Sequence, residues 1–427
     1  MIHWLRSAVR RIVHGRLADV VVAILTLGYV RRWRTHPSWR PRGAQSGQRC
    51  ILVIDDRIPF PWLGAGFPRS AELLRQLVAG GWHVTFLPTM HLAEDSAVIL
   101  EHFPAEIDFI HNPADRTFAS FFEEMTGGFD VVLISRPYNM QMFRDACDYV
   151  PRFLRNIHVV YDAEAFITER EAIRRKVKGI PWTDQEYRTA LNEELKGIKG
   201  VDLIFTVNEH EKSLISPHTR ARVQVLSHSA AAHPQPARPD CRKNLLFVGG
   251  ATLTSDLSPN TDSLVWFIRD VLPILVPLLG DDLILQVAGR IESEEVAALA
   301  GPNVRLLGMV PDLTELYGQS RLFIAPTRFA AGIPLKVLEA SAQGLPVVAT
   351  PLIARQLGRT PGVDILVGET ATEFADACRS LCTDDAAWIS VRNAALTAVQ
   401  RECDPGMFST ALLSALAALH PRRVTPQ

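Results

Sequence analysis

The chain has no GxxxxGK[ST] run, which excludes the phosphate grip of a P-loop enzyme. It has no CxxC pair among its six cysteines, Cys50, Cys147, Cys241, Cys378, Cys382 and Cys403, and no second ligand pair stands beside Cys378 and Cys382. A structural metal and a disulfide framework are therefore not expected, and the thiols read as reduced and mostly buried, in a cytoplasmic protein. A third glycine is missing as well. Gly64 and Gly66 open a GxGxx pattern, but Arg69 stands where a dinucleotide fingerprint needs glycine, which argues against a nicotinamide site. Charge of one sign is lacking overall, with 45 Lys and Arg against 46 Asp and Glu, so no global field recruits nucleic acid. The apolar N-terminal stretch "LADVVVAILTLGYV", Leu17 to Val30, has 14 residues and falls short of the roughly 20 that span a bilayer. Arginines follow it instead of a small-residue cleavage site. No repeat, heptad pattern or long low-complexity tract occurs.

What is present begins with an asymmetry. Residues 1–49 hold ten arginines and one acid, Asp19, with Trp4, Trp33 and Trp39 interleaved. A helix on the anionic inner face of a membrane fits that pattern, and so does a helix packed on the protein or on a subunit. At 427 residues and 47% hydrophobic, the chain is too long for one comfortable core.

From residue 49 strand-like runs alternate with helix-length segments: "RCILVIDD", "WHVTFLPT", "EIDFIHN", "FDVVLIS", "NIHVVYD", "VDLIFTVN" and "ARVQVLSH". A proline-rich stretch without periodicity follows, and then "LLFVGG", "LILQVAG", "NVRLLG", "RLFIAPT", "LPVVAT" and "VDILVG". Runs apolar on both faces and separated by helices indicate parallel, helix-covered sheets. The pattern predicts an α/β fold of two doubly wound Rossmann-like domains facing each other across a cleft. The expected boundaries are an N-terminal extension at 1–48, a first domain at 49–228, a linker at 229–243, a second domain at 244–402 and a C-terminal helix segment at 403–427. That last segment is expected to fold back on either domain, and the linker to act as a hinge.

Ligands in such sheets sit beyond the carboxyl ends of strands, so the loops there carry the candidates. The strongest is "RLFIAPTRFAAGIPLKVLEASAQ". Gly332 allows close backbone approach, Pro334 is expected in the first helical turn, where it costs no hydrogen bond, and the free amides of the stretch Ile333 to Lys336 mark a phosphate-binding helix start. Arg328 and Lys336 add positive charge for a pyrophosphate, and Glu339 one turn on can accept from sugar hydroxyls. Lys336 and Glu339 equally fit an exposed i,i+3 ion pair. Gly64, Gly66 and Arg69 mark a loop after the first strand that is either a second ligand loop or an ordinary tight turn. Asp162 and Glu164 in "HVVYDAEAF" sit at a strand end, able to hold acceptor hydroxyls or to cap a helix. Asn208 and Glu209 read as helix caps, and His111 and His158 as structural residues.

Residues 244–357, from "FVGG" through "SPNTDSLVWFIRDVLPIL", "LQVAGR" and "NVRLLGMVPDL" to "APTRFAAGIPLKVLEASAQGLPVVAT", resemble the donor-binding domain of family 4 retaining glycosyltransferases. That resemblance implies the glycosyltransferase B-type architecture. It also implies a nucleotide-diphosphate sugar as donor substrate, with no cofactor and no required metal. By the same resemblance Glu339 binds ribose, while Lys336, Arg328 and the Gly332, Ile333, Pro334 and Leu335 backbone bind the diphosphate. "GMVPDL", with Gly308 and Val310, lines the base. Arg290 is a further donor-side residue, or a surface arginine. Gly64 and Gly66 face the diphosphate from the first domain. Asp162 joins Arg328 and Lys336 as a catalytic residue, and Glu164 and Arg69 are placed on the acceptor side. Many relatives carry two glutamates eight positions apart in the donor loop; here Glu339 matches the second and Ala331 stands at the first. The subgroup it resembles reads close to "GAGIxxKxxEA".

The expected activity is transfer of a sugar to an acceptor hydroxyl with retention of configuration. It would occur at the cytoplasmic face, in synthesis of polysaccharide, lipid-linked or cell-envelope glycan. The expected partners are the nucleotide sugar, the glycan or lipid-linked acceptor and an anionic membrane surface, with no nucleic acid. The alternatives are a non-catalytic nucleotide- or carbohydrate-binding relative, a nucleotide-sugar epimerase, and a phosphorylase. The last two lack an evident acid–base pair or inorganic phosphate pocket.

Overall fold

The structure is a computed structural model that describes residues 47–64, 66–90, 95–110 and 118–420. The Leu17–Val30 segment with Trp4, Trp33 and Trp39, and His111, lie outside the described residues. Contacts divide the chain into two compact units: Met1–Leu63, Leu74–Val160 and His420–Gln427 in one, Gly64–Leu73 and Tyr161–Leu419 in the other.

Thirteen strands are described, in two sheets. The first sheet has β1 (Cys50–Asp55), β2 (His83–Pro88), β3 (Asp108–Phe109), β4 (Val131–Ser135), β5 (His158–Asp162), β6 (Leu203–Thr206) and β7 (Arg222–Val225), in the order β3-β2-β1-β4-β5-β6-β7. The second has β8 (Lys243–Val248), β9 (Leu285–Ala288), β10 (Val304–Gly308), β11 (Ser320–Ala325), β12 (Val347–Ala349) and β13 (Leu366–Val367), in the order β10-β9-β8-β11-β12-β13. β1 pairs in parallel with β2 and β4, and β8 with β9 and β11. Each order reverses direction beside its first strand, the place where doubly wound sheets bind ligands.

The central strands are largely buried because both faces are covered. In the second sheet Leu245, Phe247, Leu322, Ile324 and Val348 pack on one side, against helices that include Leu264, Phe267 and Trp388. The alternate residues Leu246, Phe323, Ala325, Val347 and Ala349 pack on the other, against Val337, Leu338 and Ile353. This is the period-2 division that makes a continuous apolar run a two-sided strand.

The stretch 229–243 contains one 3-10 turn, Pro239–Cys241, and its backbone is tied down. His233 and Gln235 donate to the carbonyls of Ala342 and Gln343, each at 2.9 Å, and Ala230 donates to Cys403 at 2.8 Å. The last helix, Pro405–Ala417, is anchored where Gln224 of β7 donates to the Ala411 carbonyl at 2.9 Å. His158 Nε2 lies 2.7 Å from the His420 carbonyl oxygen, a structural role as its isolation in sequence suggested. Among the described residues no helix is long and apolar enough to cross a membrane.

Candidate functional site

The loop after β11 lies at the switch point of the second sheet and leads into the helix Leu335–Ala342. Pro334 is the N-cap of this helix instead of a first-turn residue, and no side chain caps it. The first turn of an α-helix has no intrahelical partners for its N–H groups, which leaves this end suited to an anion. Gly332 has φ 75°, and a Cβ there would lie 3.0 Å from the Glu164 carbonyl oxygen, so two separate constraints demand glycine. Its N–H donates to Glu211 Oε1 at 2.9 Å.

The two cations of the loop are braced by one helix. Arg328 donates from Nε and Nη2 to both oxygens of Asp262, at 2.9 and 2.6 Å, and its guanidinium lies 5.7 Å from the Trp266 ring centre. Asp262 is buried in the first turn of Pro259–Trp266, and Lys178 Nζ approaches the same carboxylate at 3.2 Å. Lys178 also reaches Asp256, at 3.1 Å, so two cations are matched by two acids here, of which Asp262 is the buried one. Lys336 donates to Asn260 Oδ1 at 2.6 Å and sits 4.2 Å from the Phe247 ring centre. It is half-buried with an amide, not a carboxylate, as its partner, and burial pushes its ammonium down to about 7. An exposed Lys336–Glu339 ion pair is not formed. The two side chains face different neighbours.

Glu339 lies on the wall of a cavity of about 410 Å³, with Leu335, Ala342 and Gln343 on the same helix face. Pro311–Thr314, Tyr317, Ser229–Ala231, His233 and Pro68 complete the lining. The volume is in the range of small-molecule pockets. Burial raises the Glu339 carboxyl above its ordinary value, and its burial with the neighbouring Glu339 raises the Tyr317 phenol. The buried Tyr317 hydroxyl faces the Glu339 carboxylate, and their side-chain interaction raises the phenol and partly offsets the effect of burial on the carboxyl. Glu339 and Tyr317 thus bring a carboxylate and a phenol, partnered with each other, to the cavity wall. Of the "GMVPDL" segment, Pro311–Leu313 line the cavity. Gly308, with φ 69°, ends β10 and accepts from Gly289 N–H, and Val310 is half-buried beside it; neither lines the cavity.

The residues expected from the first half of the chain converge in part. Gly66 has φ 85°, and a Cβ there would overlap Glu164 Oε1 outright. Glu164 itself holds a left-handed φ of 46°, unusual for a non-glycine residue and the kind of strain that collects at functional sites. Its carboxylate packs on Gly66 and its carbonyl oxygen on Gly332, so the three residues meet. Gly64, φ 65°, forms the turn before them. Arg69 and Asp162 also meet, but on each other. Nη1 and Nη2 donate to the two Asp162 oxygens at 2.7 and 2.9 Å, and Nε and Nη2 to the Leu226 carbonyl at 3.1 and 2.9 Å. Both are buried. Asp162 does not cap a helix: the N–H groups of Ile167 and Thr168 donate to Glu194, each at 2.8 Å. Arg290 is exposed and ion-paired with Glu292.

Residues 242–384 match the family model described as glycosyl transferases, group 1. Over that segment, a third of its length, the chain is similar to glycosyl transferases of that group. Among solved structures, sucrose-phosphate synthase from Thermosynechococcus elongatus superposes with a TM-score of 0.66 at 15% identity, over 87% of this chain and 99% of that one. HepE from Anabaena, in complex with UDP and glucose, gives 0.62 at 13% identity, over 87% and 100%. A glycosyltransferase from Rickettsia africae gives 0.62 at 14%, over 87% and 99%. At these identities the likeness establishes the fold, two Rossmann-like α/β sheets of the glycosyltransferase B type. Among curated proteins the sequence finds no match.

Sequence reasoning missed four residues that hold the site together. Asp262 and Asn260 lay in "SPNTD" without assigned roles, Lys178 in a basic helix end, and Glu211 in "NEHE". Asn208 and Glu209 were expected to cap there; Asn208 does, accepting from Glu211 N–H at 2.8 Å, while Glu209 is the first residue of the helix. The one available signal was acidic or amide residues just past strand ends. It does not say which loop they will meet. Among the described residues no group of three or more His, Cys, Asp or Glu is placed to hold a metal ion.

Proposed function

We propose that the protein transfers a sugar from a nucleotide-diphosphate sugar to an acceptor hydroxyl, with retention of configuration. The observation that carries this reading is the 410 Å³ cavity along the Leu335–Glu339 face, which runs beside an uncapped helix start flanked by Arg328 and Lys336. A nucleoside would occupy the cavity with its ribose hydroxyls on Glu339. Its diphosphate would meet the Gly332–Lys336 backbone. The bond from the anomeric carbon to the diphosphate oxygen breaks, the acceptor oxygen bonds to that carbon, and the departing phosphate oxygen takes the acceptor's proton on the same face. No protein nucleophile is then required. Arg328 and Lys336 stabilise the developing charge electrostatically, the part a divalent ion would otherwise play. HepE, solved with UDP and with UDP-glucose, supports a uridine diphosphate donor. Glu164, wedged between Gly66 and Gly332, is positioned to meet the acceptor, and Asp162 with Arg69 fixes the strand end from which Glu164 projects. The arginine-rich apolar N-terminus supports an acceptor at the inner face of a membrane, a glycan or lipid-linked intermediate of the envelope.

The test is thermal shift with a panel of nucleotides and nucleotide sugars on wild type and on the Lys336→Ala/Glu339→Ala double variant. Ligand that binds only the native state raises stability by mass action, about 2.7 kcal/mol at a hundredfold excess over Kd. Stabilisation of wild type alone by one class of diphosphate supports the reading. Equal responses from both proteins would remove the loop from the site.

A further inference from the structure

Beneath the donor loop lies a second, much smaller cavity of about 10 Å³, lined by Asn208, Glu211, Ala330, Ala331, Gln356 and five other residues. Three buried side-chain atoms on these residues lack a hydrogen-bond partner: Glu211 Oε2, Asn208 Nδ2 and Gln356 Oε1. Their residues are 4%, 8% and 5% exposed. The orientation of both amides is fixed by what the other end does. Asn208 Oδ1 accepts from Glu211 N–H at 2.8 Å, and Gln356 Nε2 donates to the Ala330 carbonyl at 3.0 Å. The three remaining atoms are thus two acceptors and one donor, beside a space that fits one water.

We propose that Glu211 is a positioning residue of the donor loop, completed by a single buried water that donates to Glu211 Oε2 and Gln356 Oε1 and accepts from Asn208 Nδ2. A water is the one small species that satisfies all three atoms at once. A proton on Glu211 could serve Gln356 but would leave the Asn208 amide unmet. The other carboxylate oxygen, Oε1, accepts from Gly332 N–H at 2.9 Å and from Phe166 N–H at 3.4 Å. One acid therefore fixes both the glycine at the start of the donor helix and the chain just past Glu164. Ala330 and Ala331 leave room for it, since a longer side chain at either position would compete for the same space.

The groups that set its charge are Glu194 and Arg69, with Glu169 and His210 on the cavity rim. Burial dominates and pushes the Glu211 carboxyl up to about 7. The sign follows. Above that value Glu211 is ionised and its bond to Gly332 is charge-assisted; below it the bond weakens and the donor loop loosens. This inference rests on the donor-loop reading, so its test includes a readout that needs no donor.

Amide exchange at Gly332 is measured in wild type, Glu211→Ala and Glu211→Gln, with exchange at Leu245 and Phe247 as the check of folding. Kinetics with the nucleotide sugar that stabilises the protein are measured from about pH 5.5 to 8.5. Glu211→Ala is expected to speed Gly332 exchange at least about tenfold and to raise donor KM about tenfold with a smaller change in kcat. Glu211→Gln keeps an acceptor for Gly332, so it should keep kcat/KM within about threefold at pH 8 while losing the acid limb that wild type shows near 7. Unchanged Gly332 exchange in Glu211→Ala overturns the brace whatever the donor proves to be. An acid limb retained in Glu211→Gln overturns its pH role. Crystallographic density at high resolution should show the water within hydrogen-bond distance of the three atoms, and a dry cavity would refute that part.

Discussion

Replacing Asp162 with Asn distinguishes a brace from a reacting group. The Asp162 carboxylate pairs bidentately with Arg69, whose side chain is 0% exposed, at 2.7 and 2.9 Å. The variant removes the charge, keeps one acceptor oxygen and turns an NH₂ donor toward the guanidinium. The buried arginine keeps the Leu226 carbonyl but loses half of its bidentate carboxylate partner. Breaking such a pair from one side costs about 3–5 kcal/mol, and the surviving acceptor places the expectation near the lower end, about 3 kcal/mol. That is a large part of the roughly 5–15 kcal/mol that a native protein has. Urea unfolding followed by tryptophan fluorescence reads it as a fall in the midpoint of the transition that reports on β5. Removing both charges, as Arg69→Met/Asp162→Leu, should recover most of the loss, because the uncompensated charge goes with its partner. The double variant also separates the roles. A positioning part predicts less than about a tenfold fall in turnover once folding is restored, whereas a directly reacting Asp162 predicts a loss of about a hundredfold or more. A single variant that loses less than about 1 kcal/mol would refute the argument, as would a well-folded double variant without activity.

Lys336→Met should raise the urea midpoint of the ligand-free protein, since burial opposes the ammonium, while weakening donor binding about tenfold or more; parallel changes in both would place Lys336 in the scaffold. Diphosphate binding should pull a proton onto Lys336. Its value in the unliganded protein is about 7, so donor affinity is expected to fall up to tenfold per pH unit above that, with proton uptake visible in titration calorimetry across buffers of different ionisation heat; a pH-independent affinity between about 7 and 9 contradicts this. Gly332→Ala must hold φ 75° and displace the Glu164 carbonyl, whereas Gly64→Ala meets nothing within 4 Å. Gly64→Ala should therefore cost about 1–2 kcal/mol from its left-handed backbone alone, and Gly332→Ala measurably more, together with donor affinity. Equal costs in denaturant would show that the loop is not packed as described.

Much of the architecture was legible because the strands carry it. Runs such as "CILVID", "VVLIS" and "RLFIA" are apolar at consecutive positions, and each became a fully covered parallel strand. Gly66, Glu164 and Gly332 were each singled out from local pattern, and they meet. What local pattern could not supply was pairing. Arg69 and Asp162 are 93 residues apart, and nothing in either segment states that each will pair with the other. The same holds for Arg328 with Asp262 and for Glu211 with Gly332. Pro334 shows a smaller limit: its fixed φ suits both the N-cap and the first turn, so its sequence position alone does not choose between them.

The central claim is that the cavity along Leu335–Glu339 receives the nucleoside of a diphosphate donor. A crystal structure of the protein soaked with UDP tests it most directly. The account predicts the ribose hydroxyls within hydrogen-bond distance of Glu339 and the diphosphate on the Gly332–Lys336 backbone, with Lys336 turned from Asn260 onto a phosphate oxygen. UDP bound elsewhere, or in the cavity with Glu339 and Lys336 still on their present partners, would contradict it.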